Sequence, residues 1–296
     1  FYLIFSLFFK INFFLSIYFI NQYNFKKQIS SSNNQFIIDG YNLDNKFLIT
    51  NKNLYLKKLK LKLNKSVLTS KKKILILGDS MSLDMLNILT NSEFINKSFD
   101  VSHYYLGSKC LQKGNFSSDY NCEDDNKDQL SNINLILQKK PDIIVINYLY
   151  NAPWNKNILQ NINSFIKKNK NLENKFVIVS DRYRFPFNLN YSILDQLVLK
   201  NKSLPSKNEL KDIEKMYYLY KSSDTDSINS SLKMLTDNEQ VLFLPLSSMQ
   251  CDIKNKTCKV LDILNYKIYL DNVSHLSLTS TTFFGKKVTN FFMETF

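Results

Sequence analysis

The chain has 296 residues, of which 39 are basic and 26 acidic, giving a formal charge of +13. With 44% hydrophobic and 14% aromatic residues, it can bury one large core and still carry appendages. The charge does not mark a nucleic-acid binder. The lysines are scattered, Arg182 and Arg184 are the only arginines, and no RNA- or DNA-binding motif accompanies them.

Residues 1–20, FYLIFSLFFKINFFLSIYFI, are almost wholly apolar, with Lys10 and Asn12 as the serious interruptions. About 20 such residues span a bilayer as a helix, and no basic n-region precedes them as in a signal peptide. Residues 1–22 are therefore expected to form a transmembrane helix, the last span of a truncated membrane bundle. A buried N-terminal helix of a soluble domain is the alternative. Residues 23–70, rich in Asn, Ser and Lys, read as a linker with local structure around residues 47–49 and 54–63. The domain proper is expected over 71–296.

That domain opens with an apolar run, Lys73–Leu77, that stops at Gly78-Asp79-Ser80. Apolar positions 81, 85, 86 and 89 then fit one face of a helix. Residues 99–106 read as a second strand ending at Gly107, and 128–139 as a helix. Pro141 opens the continuous apolar run 142–146, typical of a buried parallel strand. A helix over 155–168, a strand over 176–179, helices over 209–220 and 227–235 and a strand over 241–244 follow. Residues 267–270 are short and apolar, and 277–296 read as a closing helix. Strands alternating with helices predict an α/β fold: three layers around a mainly parallel five-stranded sheet. Ligands of such sheets bind beyond the carboxyl ends of the strands.

The four cysteines form two close pairs, Cys110 with Cys122 and Cys251 with Cys258. Neither has the C-x-x-C spacing of zinc or redox sites, and His103 and His275 are the only histidines, so no metal or cofactor is expected. Two local disulfides in an oxidising compartment fit this pattern, with four free thiols as the alternative.

Ser80 falls on the strand-to-helix turn, where backbone N–H groups at the helix start can stabilise an oxyanion. A hydroxyl nucleophile needs a base, and His275 lies at the far end of the domain. Asp271, four residues before it, carries a carboxylate that can orient an imidazole. On the turn alone, a plain helix cap at Asp79 or Ser80 explains the motif equally well.

Together these blocks resemble the SGNH/GDSL hydrolase superfamily. More narrowly, they resemble the extracytoplasmic SGNH domain fused behind the membrane bundle of acyltransferase family 3 proteins, which O-acylate polysaccharide or lipopolysaccharide. The resemblance covers residues 71–296. It implies Ser80 as nucleophile, Asp271 and His275 as its partners, and the N–H groups of Ser80 and Gly107 with Asn151 as the oxyanion hole. Asn151 enters through Pro141-Asp142, the apolar strand and Asn147-Tyr148-Leu149-Tyr150-Asn151. The family usually has two residues between aspartate and histidine; three stand here, so Asn272 is the alternative orienting residue. Leu149 replaces the usual glycine before the third-block asparagine, and a turn residue before Pro153 is the other reading of Asn151. The implied reaction is acyl transfer, with acetyl as the expected group, from a donor delivered by a membrane acyltransferase domain to a glycan acceptor. The domain would then be extracytoplasmic, anchored through residues 1–20 and periplasmic in a Gram-negative bacterium. A membrane-anchored carbohydrate esterase and a glycan-binding module with a decayed triad are the rival readings.

Overall fold

The computed structural model describes residues 71–107, 111, 141–152, 155, 157–169, 173–185, 193–201, 203–236, 239–263, 265, 267–269, 275–277 and 280–296. The expected membrane helix, the linker, the 128–139 helix and the Cys110–Cys122 pair lie outside the described residues. No helix among the described residues is long and apolar enough to cross a membrane.

Five strands form the sheet: β1 (Lys72–Gly78), β2 (Phe99–Tyr105), β3 (Ile143–Asn147), β4 (Lys175–Val179) and β5 (Val241–Leu244). Their order is β2-β1-β3-β4-β5 and every neighbouring pair is parallel. Burial on both faces explains why β1, β3 and β4 are nearly unbroken runs of Ile, Leu, Val and Phe. The expected parallel five-stranded α/β fold is what the chain forms.

Helical segments make the described connections between strands. Helix α1 (Ser80–Thr90) and α2 (Glu93–Ser98) link β1 to β2, and α3 (Ile158–Asn169) links β3 to β4. Between β4 and β5 run α4 (Ile193–Asn201), α5 (Lys207–Tyr220) and α6 (Thr225–Met234). After β5 come α7 (Leu246–Gln250), a small antiparallel pair β6 (Cys251–Asp252) and β7 (Thr257–Cys258), and the closing helix α8 (Thr281–Thr295). Helices α2, α4 and α7 and the β6–β7 pair have no counterpart in the sequence expectations. They are short or lack a clean period.

One face of the sheet presents Leu75, Leu77, Ile144, Ile146, Phe176 and Ile178 to Ile158, Ile162 and Phe165 of α3 and Leu232 of α6. On the other side α1 packs against β1 and β2 and is itself covered by α8, whose Phe284, Val288 and Phe292 are fully buried. Helix α1 is thus enclosed, with every residue from Met81 to Leu89 buried. Its polar side chains must then find partners inside.

The chain order places the sheet's switch point between β1 and β3. From β1 the chain moves outward to β2, and later returns to the other side of β1 with β3. The loops at the carboxyl ends of β1 and β3 therefore leave toward opposite faces, and a crevice opens between them. Ser80 stands there, at the start of α1.

Cys251 and Cys258 face each other across the β6–β7 pair and are disulfide-bonded, with Cα atoms 4.0 Å apart. This is one of the two expected pairings.

Candidate active site

Gly78 ends β1 because nothing larger fits. A Cβ there would lie 1.8 Å from the Asn147 carbonyl oxygen and 2.8 Å from Ser82 Cβ. This close approach, rather than a left-handed turn, makes the glycine necessary. Asp79 then caps α1, accepting the Met81 N–H at Oδ1. Its Oδ2 accepts the Leu149 N–H at 3.0 Å and the Asn155 side-chain amide at 3.4 Å. Asn155 also donates to the Leu149 carbonyl, and Asn147 donates to the Met81 carbonyl. The turn after β1 is thus locked to the loop after β3. Burial pushes the Asp79 carboxyl up, against the pull of its Leu149, Met81 and Asn155 hydrogen bonds.

Ser80 is the first residue of α1 and half-buried. Its Oγ lies 3.1 Å from Nε2 of His275. Nδ1 of the same ring lies 3.2 Å from Oδ2 of Asp84, one helical turn beyond Ser80. The same carboxylate oxygen meets Arg182, whose Nη2 donates to Oδ2 at 2.7 Å. Asp84 and Arg182 are each 1% exposed and His275 5%. Burial alone would raise the Asp84 carboxyl, but Arg182 and His275 outweigh it and hold it below the usual carboxylate range. An ionised carboxylate only accepts hydrogen bonds, so Nδ1 must be the protonated nitrogen. Nε2 is then left as the acceptor for the Ser80 hydroxyl.

The elements that present these groups are firmly held. The segment after β4 is extended and pinned: Ser180 Oγ accepts the Ser247 N–H, and the Asp181 and Tyr183 N–H groups donate to Asn229 and Gln250. That pinning fixes Arg182 under α1. His275 sits between two strand-like pieces that bridge each other, Tyr269 opposite Leu276, and the Ser277 N–H donates to the Ile268 carbonyl at 2.9 Å. Residues 267–269 and 275–277 are therefore held together, and His275 belongs to the second of these segments.

The other serine–histidine contact is of a different kind. Ser82 Oγ donates to the Asp79 carbonyl at 2.6 Å and lies 2.7 Å from Nε2 of His103. Its one proton is used on the carbonyl, so it accepts from His103, and it is fully buried. It packs the turn and offers no nucleophile.

Of the sequence-predicted site residues, the fold brings Ser80 and His275 together from opposite ends of the domain. Gly107 follows β2 at the same sheet end, where Tyr105 pairs with Gly78 and the Leu106 N–H donates to the Gly78 carbonyl. Asn151 sits in the loop after β3, but its side-chain amide donates to Asp224, which Arg184 also binds. Asp271 and Asn272 lie outside the described residues. Asp84 and Arg182 carried no expectation. The available signal was the one-turn spacing of Ser80 and Asp84, and two arginines confined to the end of one strand. No group of three or more metal-ligating side chains occurs among the described residues.

The profile of the SGNH domain fused to AT3 domains matches residues 54–289. This chain belongs to that family. Among solved structures, it resembles the periplasmic domain of a lipopolysaccharide acetyltransferase from Salmonella ser. Paratyphi A. The TM-score is 0.58 and the identity 15%, covering 81% of this chain and 95% of that one. A putative acylhydrolase from Bacteroides fragilis (TM-score 0.44, 14% identity, 83% and 99% covered) and a GDSL-like lipase from Bacteroides thetaiotaomicron (0.43, 14%, 83% and 98%) are more distant. At these identities the likeness is one of fold. No curated protein matches the chain significantly. The SGNH-domain chain thus has an SGNH/GDSL hydrolase-like enzyme fold, in a family described by its fusion to AT3 domains.

Proposed function

We propose that this SGNH domain transfers an acyl group, acetyl in the simplest case, to hydroxyls of an extracytoplasmic glycan through a serine acyl-enzyme. The observation that carries the reading is the 3.1 Å contact between Ser80 Oγ and His275 Nε2 at the switch-point end of the sheet. Ser80 Oγ attacks the donor carbonyl carbon while its proton passes to Nε2. The carbonyl oxygen becomes an oxyanion. Asp79 occupies the Met81 N–H, and its carbonyl accepts the Ser82 N–H. The Ser80 N–H, first in the helix, has no intrahelical acceptor and serves the oxyanion with the Gly107 N–H. Asn151 contributes its second amide hydrogen.

The intermediate collapses as the donor's leaving oxygen takes the proton from Nε2, and the acyl group stays on Ser80 Oγ as an ester. A sugar hydroxyl then gives its proton to Nε2 and attacks that ester. Ser80 Oγ departs and recovers the proton, which closes the cycle. With water as acceptor the same steps describe an esterase.

The family's fusion to AT3 domains supports a membrane domain as the source of the acyl group, and the Salmonella neighbour's periplasmic placement supports an extracytoplasmic site. An assembled serine–histidine contact argues against a decayed binding module. The deciding experiment incubates the protein with an activated acetyl donor and a surface polysaccharide. Acetylated glycan is the expected product. Acetate release alone identifies an esterase, and no fluorophosphonate labelling of Ser80 rejects the serine mechanism.

A further inference from the structure

The reading above leaves open which group holds the imidazole. We propose that Asp84, anchored by Arg182, is the positioning residue of His275, so that nucleophile and orienting carboxylate both come from helix α1. This rests on Ser80 as nucleophile and His275 as base.

Residues four apart on a helix lie on one face, about 5–6 Å apart at Cβ. An imidazole laid along that face reaches Ser80 with Nε2 and Asp84 with Nδ1, and the observed distances are 3.1 and 3.2 Å. Only His275 has to be delivered from elsewhere in the chain. The serine-to-carboxylate spacing is set by helix geometry and does not depend on how many residues separate Asp271 from His275. Three residues between Asp271 and His275, rather than the family's two, are then tolerated.

Arg182 has two effects. It donates to the same Asp84 oxygen that meets the ring, and so holds that carboxylate in place. It also neutralises a charge that burial would otherwise expel. Among the described residues, the carboxyls of Asp84 and Asp79 both feel His275, and Arg182 meets Asp84.

The test has one arm independent of turnover. With 15N-labelled histidine in a Ser80→Ala, His103→Gln background, His275 is the sole histidine and its Nδ1–H proton can be observed directly. Asp84→Asn is expected to move or abolish that resonance, and Asp271→Asn to leave it in place. The second arm measures kcat/KM for 4-nitrophenyl acetate against pH in the otherwise native protein. Asp84→Asn is expected to lose about 10³–10⁴-fold, and its acidic limb to move to lower pH, because the imidazolium loses its counter-charge while Arg182 remains. Asp271→Asn is expected to stay within a few-fold. If Asp84→Asn does not fold, Asp84→Asn with Arg182→Gln removes both charges and is read the same way. An unmoved Nδ1 resonance in the Asp84 variants, or a larger shift in Asp271→Asn, overturns the proposal. Esterase activity surviving Ser80→Ala instead overturns the serine mechanism, and leaves the resonance arm still decisive for Asp84.

Discussion

Ser80 is the first residue of its helix and makes its recorded side-chain contact with His275 rather than with the core. Removing its hydroxyl should therefore cost activity and little else. Ser80→Ala is expected to lower turnover of a model acetyl ester by about 10⁴-fold or more, with an unchanged circular dichroism spectrum and no fluorophosphonate adduct. Retained turnover in an esterase-free preparation would remove Ser80 from the mechanism. Asp79 differs in kind. It holds α1 and the loop after β3 through three hydrogen bonds, so its substitution should loosen the whole turn. The two serine–histidine contacts are separated by the same logic. Ser82 spends its proton on a carbonyl, whereas Ser80 can give its proton to a base.

Gly78 shows how a strand edge enforces a residue. Its missing side chain is what lets β1 and β3 approach, since the clash would be with backbone of the paired strand. Gly78→Ala is expected to destabilise the protein by about 3 kcal/mol or more and to reduce ester turnover by displacing Ser80. Urea midpoints measure the first effect, and a variant melting with the wild type would show that the strands can part cheaply. The β6–β7 hairpin is a contrasting element. Two-residue strands cannot hold themselves, and the Cys251–Cys258 bond closes a loop with a sequence separation of 7. Replacing both cysteines by serine should lower stability by about 2 kcal/mol on loop-entropy grounds. Denaturation under oxidising and reducing conditions checks this, because the serine variant should lose the difference between them.

Over the domain as a whole, buried charge sets the response to pH. Asp181 is 1% exposed, and among the described residues neither of its carboxylate oxygens has a partner of good hydrogen-bond geometry. Burial pushes it up from 3.8 to about 7, although Arg184 and Arg182 pull it back. Between those values the folded state binds a proton that the unfolded chain has lost. Stability must therefore fall as pH rises from about 4 to 7, by an amount on the order of a few kcal/mol. Asp84 has the opposite sign. Its lowered value stabilises the fold above the ordinary carboxylate range, and that contribution is lost as pH falls below it. Asp181→Asn is expected to flatten the decline on the neutral side, so that the variant gains on the wild type between pH 5 and 8. Parallel stability curves for the two proteins over that range would refute this.

The strands β1, β3, β4 and β5 and the longer helices were legible in the chain because burial on two faces, or on one helical face, leaves a periodic apolar pattern. The Gly-Asp-Ser turn was legible for a similar reason: a run of apolar residues broken by glycine marks a sheet edge. The same pattern marked Ser80 as the proposed nucleophile and, with the lone C-terminal histidine, His275 as its proposed base. Helix α4 escaped notice because its run is short, nine residues, although Ile193, Leu194, Leu197 and Val198 fall on one helical face. Asp84 and Arg182 escaped for a deeper reason. They lie 98 positions apart, and a buried ion pair leaves no periodicity in either segment. The fold makes them partners by enclosing α1 on all sides, so that a carboxylate within it must meet a cation and a ring. Local pattern thus reaches as far as the elements and the serine on the first turn. The electrostatic pairing that would set the proton on His275 depends on which distant segments the core forces together.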